Sequence, residues 1–173
     1  QTLTEKLTTA FKKRNKSEIL FISAELGHYV ADAHMPLHTA SNFNGQLTNQ
    51  KGVHALWESQ IPEQLGNNYN FKTAPSKYIP DIATETWNMI QQSHSLEDTL
   101  LAIEKNTRKN FDKENLYKKD ASGKTVLSYN QPVFSEEYVT KFNNAMGGMV
   151  EDQLRLSIRD VSDYWYTCWR NAG

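Results

Sequence analysis

Cysteine is nearly absent from this sequence, since Cys168 is the only cysteine among 173 residues. A single thiol cannot close an intrachain disulfide, and it cannot supply a zinc site made of several cysteines. Long hydrophobic runs are missing as well. Without a stretch of about 18 apolar residues, the sequence predicts no transmembrane segment. Any zinc site in this chain is therefore expected to use histidine and carboxylate ligands.

An excess of charge of either sign is also missing, because 19 lysines and arginines face 20 acidic residues and the net charge is -1. A protein that coats duplex nucleic acid usually carries a basic surface, so this balance counts against that class. It leaves open an enzyme with a metal-lined pocket. The length fits one domain over residues 1–173, and a globule of this size buries about 70% of its unfolded surface.

Apolar residues recur at helical spacing through most of the chain, which predicts an all-α fold. Between residues 112 and 134 the sequence is polar, and its TVLSY segment could be a short strand without an evident partner. From Ser135 a long helical pattern continues to the end of the chain, with a kink or a close helix contact predicted at Gly147-Gly148. Other helices are predicted over residues 2–14 and 18–34, and from about Val53, Pro80 and Leu96 onward.

The predicted helix over residues 18–34 is apolar on nearly every side, and Ser17 is a plausible N-cap for it. Ile22, Leu26 and Val30 fall on one face, while His28 and Asp32 fall almost opposite. A helix of this composition is normally buried all round. We therefore expect the face that carries His28 and Asp32 to be covered.

Four of the five histidines lie between residues 28 and 58. His28 and Asp32 are four positions apart, so they lie on the same face of a helix. His54 and Glu58 repeat this arrangement, and His38 lies between the two pairs. One such pair taken alone is usually a surface ion pair, or it contains a core histidine. Two pairs within one short segment are harder to explain in that way.

Pro36 disfavours helical geometry at the preceding residue, so the first helix should end near His34 or Met35. His38 is then expected in the turn beyond. Imidazole nitrogen and carboxylate oxygen are the ligands of zinc where no cysteine is offered, and a catalytic zinc keeps one position open for water. The segment therefore predicts a zinc site. A purely structural helical bundle is the competing hypothesis.

The residues HYVADAHMPLH, followed by GVHALWE, resemble the metal-binding core of the zinc-dependent phospholipase C and single-strand nuclease superfamily, of the S-one and P-one type. Members of that family are all-helical and use three zinc ions to hydrolyse phosphodiester bonds. The resemblance implies that His28 and Asp32 bind one zinc ion and that His38, His54 and Glu58 bind another. It also implies that Asp32 bridges to a further zinc ion and acts as the catalytic residue.

By the same resemblance, a water molecule activated by the metal attacks phosphorus, and the protein is exported. The substrate is either single-stranded nucleic acid or a phospholipid head group. Glu58 and the span SNFNGQLTNQKG are more similar to the phospholipase C branch, whereas His34 and Trp57 are more similar to the nuclease branch. Both branches therefore remain open on the sequence.

The polar loop over residues 41–52 lies between the predicted ligands, which suggests that it overhangs the site. Asn42, Phe43 and Asn44 are its candidate substrate-binding residues. The alternative is that this loop is an ordinary connection between two helices.

Members of the family begin with a tryptophan whose amino group binds zinc, and they carry further upstream histidine and aspartate ligands. This sequence begins with Gln1 and has no histidine before His28. The resemblance thus implies the C-terminal part of a longer protein, with only the His38, His54 and Glu58 shell complete and the missing upstream segment as its partner. A hypothesis of another class is a non-catalytic helical fragment that binds one zinc ion or none.

Overall fold

The computed structural model describes residues 2–173, and most of these residues are helical. The all-α prediction is confirmed at this level. Within the described residues, no helix combines the length and the apolar character needed to cross a membrane. The helices are α1 Leu3–Lys12, α2 Lys16–Asp32, α3 Val53–Ala55, α4 Ile61–Leu65, α5 Ile82–His94, α6 Glu97–Lys109, α7 Glu136–Ala145 and α8 Met149–Ala172, with strands β1 Leu127–Ser128 and β2 Gln131–Pro132.

The chain divides into two compact units. Apart from residue 1, which is not described, the first unit comprises residues 2–35, 71–93 and 153–173, and the second comprises 36–70 and 94–152. The single domain expected over residues 1–173 stays a prediction.

The first unit is built around a core cluster to which four helices contribute. Asn15 caps α2, because its side-chain oxygen accepts a hydrogen bond from the Glu18 backbone N–H at 3.3 Å. The prediction of Ser17 as the N-cap was therefore wrong by two residues. The buried residues of the cluster are Leu7, Leu26, Val30, Ile79, Met89, Tyr164 and Cys168.

Helix α2 is not buried all round within the described residues. Leu20, Phe21 and Tyr29 are 73%, 69% and 60% exposed, and the His28 side chain is 66% exposed. Only Leu26 and Val30 of this helix are buried. The face with Leu26 and Val30 is thus buried and the face with His28 is exposed. That another part of the protein covers the His28 face stays a prediction.

The core of the second unit is aromatic. The Tyr138 ring stacks on Phe134 with ring centroids 5.1 Å apart and meets Phe111 edge-on at the same separation. Tyr138 and Phe142 are fully buried on α7. Leu56 and Ile61 are fully buried as well, so the segment that follows His54 is fixed by its apolar side.

The segment over residues 112–134 contains the strand that TVLSY suggested, and the strand does have a partner. Strand β1 pairs antiparallel with β2, Leu127 lying opposite Pro132. Tyr129 and Asn130 form the turn, both with positive φ, which is the conformation of a tight two-residue hairpin. The sequence analysis missed the partner because this turn lacks the usual Asn-Gly or Asp-Gly signature.

The C-terminal helical pattern is two helices and not one kinked helix. Gly147 and Gly148 both have positive φ, at 61° and 95°, and they lie between α7 and α8. A left-handed backbone ends an α-helix and does not merely bend it. Ser135 caps α7 as predicted, accepting a hydrogen bond from the Tyr138 N–H.

Candidate metal centre

The turn that presents His38 is a 3-10 helix over Pro36–Thr39. Pro36 and Leu37 are buried, and the Thr39 hydroxyl donates to the Pro36 carbonyl at 2.6 Å. The His38 side chain remains 27% exposed. Helix α2 ends at Asp32, two to three residues before the predicted end near His34 or Met35, and His38 lies in a turn as predicted.

His54 and Glu58 lie on a helical segment that changes form between them. Helix α3 runs into a π-helical turn over Leu56–Gln60, in which the Ile61 N–H donates to the Leu56 carbonyl five residues earlier. Pro62 follows and has no N–H to bond the Glu58 carbonyl, so the wider turn accommodates the missing donor. Leu56 and Trp57 are buried, while the Glu58 side chain is 44% exposed.

The structure brings three of the predicted ligands together in the second unit. One possible ligand atom from each of His38, His54 and Glu58 lies within 4.8 Å of the other two. The His54 Nε2 is 2.7 Å from Glu58 Oε2, and the His38 Nε2 is 3.8 Å from the same oxygen. The two imidazole ring centroids are 5.0 Å apart. Two imidazoles and a carboxylate form a donor set typical of zinc.

The other nitrogen of His54 has a backbone partner. The His54 Nδ1 lies 2.9 Å from the carbonyl oxygen of Phe43, which can only accept a hydrogen bond. Nδ1 therefore carries a proton, and Nε2 is the nitrogen left to bind a metal ion. Histidines that bind a metal ion commonly donate their other ring N–H to a backbone carbonyl in this way.

Both ring nitrogens of His54 thus face oxygen acceptors, Phe43 O on one side and Glu58 Oε2 on the other. A neutral imidazole has one proton and can satisfy only one of them. The contact between Nε2 and the Glu58 carboxylate needs a second proton or a cation. A divalent metal ion bound by both groups would meet this need, as a second proton would.

The loop over residues 41–52 is held by its own asparagines. Asn44 Oδ1 accepts hydrogen bonds from the backbone N–H of Gly52 at 3.0 Å and of His54 at 3.4 Å. Asn42 is buried, and its Oδ1 accepts the Leu47 N–H at 2.8 Å. Both side chains fix the loop, and their contact with a substrate stays a prediction.

Phe43 differs from its two asparagine neighbours. It is 53% exposed, and its ring meets the His54 ring edge-on with centroids 6.2 Å apart. An exposed aromatic ring therefore contacts a candidate metal ligand.

The first predicted pair lies in the first unit. His28 Nε2 and Asp32 Oδ2 are 3.4 Å apart, and their side chains are 66% and 37% exposed. The two side chains lie on the same face of α2, as their four-residue spacing predicted. The roles of His28 as a ligand and of Asp32 as a bridging ligand and catalytic residue stay predictions.

The first unit also holds a buried histidine–carboxylate pair. His34 Nε2 lies 3.0 Å from Asp160 Oδ2, and their side chains are only 6% and 8% exposed. Burial opposes ionisation of Asp160, but hydrogen bonds from His34 and Arg159 outweigh it and lower the pKa of this carboxyl. Sequence reasoning missed the pair because the partners are far apart in the chain and no motif joins them.

A comparison of the chain with family models, with curated proteins and with solved structures finds no match. The superfamily resemblance suggested by the residues between His28 and Glu58 therefore stays a prediction.

Proposed function

We propose that this chain binds zinc through His38, His54 and Glu58, and that the site serves the hydrolysis of phosphate ester bonds. The observation that carries the proposal is the convergence of the three ligand groups, with the His54 Nε2 facing the Glu58 carboxylate at 2.7 Å. The proposal includes that this chain has the all-helical fold of the phospholipase C and P-one nuclease superfamily.

Three protein ligands leave a position for water, which distinguishes a catalytic zinc site from a closed structural one. The partial exposure of His38 and Glu58, at 27% and 44% of their side chains, gives solvent access to the ligands. When bound, zinc lowers the pKa of water and offsets negative charge on phosphoryl oxygens. His28 and Asp32 are the proposed ligands of further zinc, with Asp32 the proposed catalytic residue.

The exposed Phe43 ring beside His54 favours single-stranded nucleic acid as the substrate. A flat aromatic face stacks on any base, at about 1–3 kcal/mol per base. A phospholipid head group offers no such planar partner. Phospholipase C activity is the alternative within the proposal, and a non-catalytic zinc-binding helical protein is the alternative outside it.

The first test measures zinc per chain by atomic emission in protein purified without chelator, together with hydrolysis of a single-stranded oligonucleotide and of phosphatidylcholine. We expect zinc to be bound, His38→Ala to lose it, and the oligonucleotide to be cleaved faster. Hydrolysis of the lipid alone would favour the phospholipase alternative. Bound zinc without either activity would favour the non-catalytic one, and absence of zinc would contradict the proposal.

The role of Phe43 is tested by Phe43→Ala, with Phe71→Ala as the matched control because Phe71 is another exposed phenylalanine, 41% exposed in the first unit. Loss of one stacked base should raise KM for the oligonucleotide about 5- to 150-fold. The defect should be smaller on an abasic oligonucleotide of the same length. Equal defects on both substrates would contradict base stacking.

A further inference from the structure

The second unit buries an ionic network that includes Gln50 of the loop over residues 41–52. Glu104 on α6 is fully buried. Its Oε1 accepts hydrogen bonds from the Tyr138 hydroxyl at 2.8 Å and from Arg108 Nε at 2.6 Å, and its Oε2 accepts one from Gln50 Nε2 at 2.6 Å. Moving a charged pair out of water costs free energy, and replacing a buried ion pair by apolar residues of similar volume often leaves a protein as stable or more stable. A contribution to stability alone therefore does not explain why the Glu104 carboxylate is buried here beside Arg108.

Gln50 connects this network to the loop. It is 3% exposed, and its Nε2 donates a second hydrogen bond to the Leu101 carbonyl at 2.8 Å, so both amide hydrogens are used. Its backbone N–H donates to the Gly45 carbonyl at 2.8 Å. Glu104 and the Leu101 carbonyl, both on α6, thus hold Gln50, and the Gln50 backbone joins the end of the loop to Gly45.

Gly45 makes this closure specific. It has a φ of +66°, and a Cβ at this position would lie 2.5 Å from the Gln50 carbonyl oxygen. The two backbone segments approach so closely that a displacement of Gln50 is passed directly to Gly45. Asn44, the next residue back, bonds the Gly52 and His54 N–H groups, and Phe43 contributes the carbonyl that holds His54 Nδ1.

We propose that Gln50 and Glu104 are positioning residues of the His38, His54 and Glu58 site, because they hold the loop whose Phe43 carbonyl orients the His54 ring. This inference rests on the proposed metal site. Neither residue is a ligand. Their effect passes through the hydrogen bonds that Gln50 donates to Glu104 and to the Gly45 carbonyl, and through the one that His54 donates to the Phe43 carbonyl.

The test uses Gln50→Met, which keeps side-chain length and removes both donors. Tyr138→Phe is the matched control, since it also removes one hydrogen bond to the Glu104 carboxylate but leaves the hydrogen bonds of Gln50 in place. Zinc affinity of the full chain is measured by calorimetry, and thermal unfolding reports stability. Loss of the hydrogen-bond partner that orients a metal ligand typically weakens metal binding about 10- to 100-fold. We expect this loss in Gln50→Met, and less than about a 3-fold change in Tyr138→Phe.

A second readout separates positioning from stability. Imidazole nitrogen NMR of the zinc-loaded wild type should show one form of His54, protonated at Nδ1 and metal-bound at Nε2. Gln50→Met should give a mixture in which either nitrogen binds zinc, while Tyr138→Phe keeps the single form. Weaker binding with an unchanged spectrum would overturn the inference, since Gln50 would then act on stability alone.

The remaining outcomes are also decisive. Unchanged affinity and spectrum in Gln50→Met, with zinc bound by the wild type, would overturn the inference and leave the metal site standing. No zinc binding by the wild type would overturn both. If Gln50→Met does not fold, Gln50→Asn is judged by the same criteria, because its shorter side chain withdraws the amide from Glu104.

Discussion

Zinc should raise the thermal stability of this protein, and the rise should depend on three named residues. The ligands His38, His54 and Glu58 come from the Pro36–Thr39 turn and from the helical segment that begins at Val53. In the unfolded chain they are separated by flexible residues, so zinc binds the folded state preferentially. Binding to the folded state alone stabilises by RT ln(1 + [L]/Kd).

The size of the effect follows from this relation. Free zinc at about 100 times Kd contributes about 2.7 kcal/mol. A chain of 173 residues shifts its Tm by roughly 2–4 °C per kcal/mol, so the expected rise is about 5–11 °C. Zinc competes with protons for imidazole nitrogen, and the rise should therefore shrink as the pH is lowered.

The assay is differential scanning calorimetry with and without zinc, on wild type, His54→Ala and His28→Ala. His54→Ala should lose the rise. His28→Ala should keep most of it, because His28 pairs with Asp32 in the first unit and is not one of the three converging groups. A rise that survives His54→Ala, or that disappears in His28→Ala, would refute the assignment of the site.

Two further predictions concern stability. Asp160→Asn should cost roughly 3 kcal/mol in urea unfolding at neutral pH, the low end for breaking a buried pair, because the amide oxygen still faces His34. Since folding lowers the Asp160 pKa, its stabilisation is present above the ordinary value of 3.8 and is lost as pH falls through the folded value. The difference from wild type should therefore shrink below about pH 4, and a constant difference would contradict this account. Gly45→Ala should destabilise by about 1–3 kcal/mol more than Gly123→Ala, because both positions have positive φ but only at Gly45 would a Cβ collide with Gln50. Equal losses in urea unfolding would show that the loop relaxes around the added methyl group.

The helices and the meeting of His38, His54 and Glu58 could be predicted because both depend on local spacing. Apolar periodicity predicted most of the helices. The four-residue spacing of His54 and Glu58 predicted that their side chains meet, and His54 Nε2 lies 2.7 Å from Glu58 Oε2 even though the helix widens into a π-helical turn between them. Pro36 signalled the turn at His38. These features depend on a few neighbouring residues, so a single sequence contains them.

Other features depend on contacts that spacing does not encode. The pairing of His34 with Asp160 joins distant parts of the chain, and the acceptor for His54 Nδ1 is a backbone carbonyl whose position follows from the path of a loop. The N-cap of α2 was misplaced because Asn15 and Ser17 are both good caps, and only the backbone decides between them.

The contact between the Phe43 carbonyl and His54 separates two duties at one position. Any residue at position 43 supplies a main-chain carbonyl, so the hydrogen bond to His54 Nδ1 does not depend on the identity of the side chain there. That side chain is exposed beside His54, so under the proposed function it can be changed to alter which substrate is bound. A small library randomised at position 43 would therefore vary the exposed side chain while keeping the carbonyl that holds His54, whereas the same experiment at Gly45 would break the loop that carries this carbonyl.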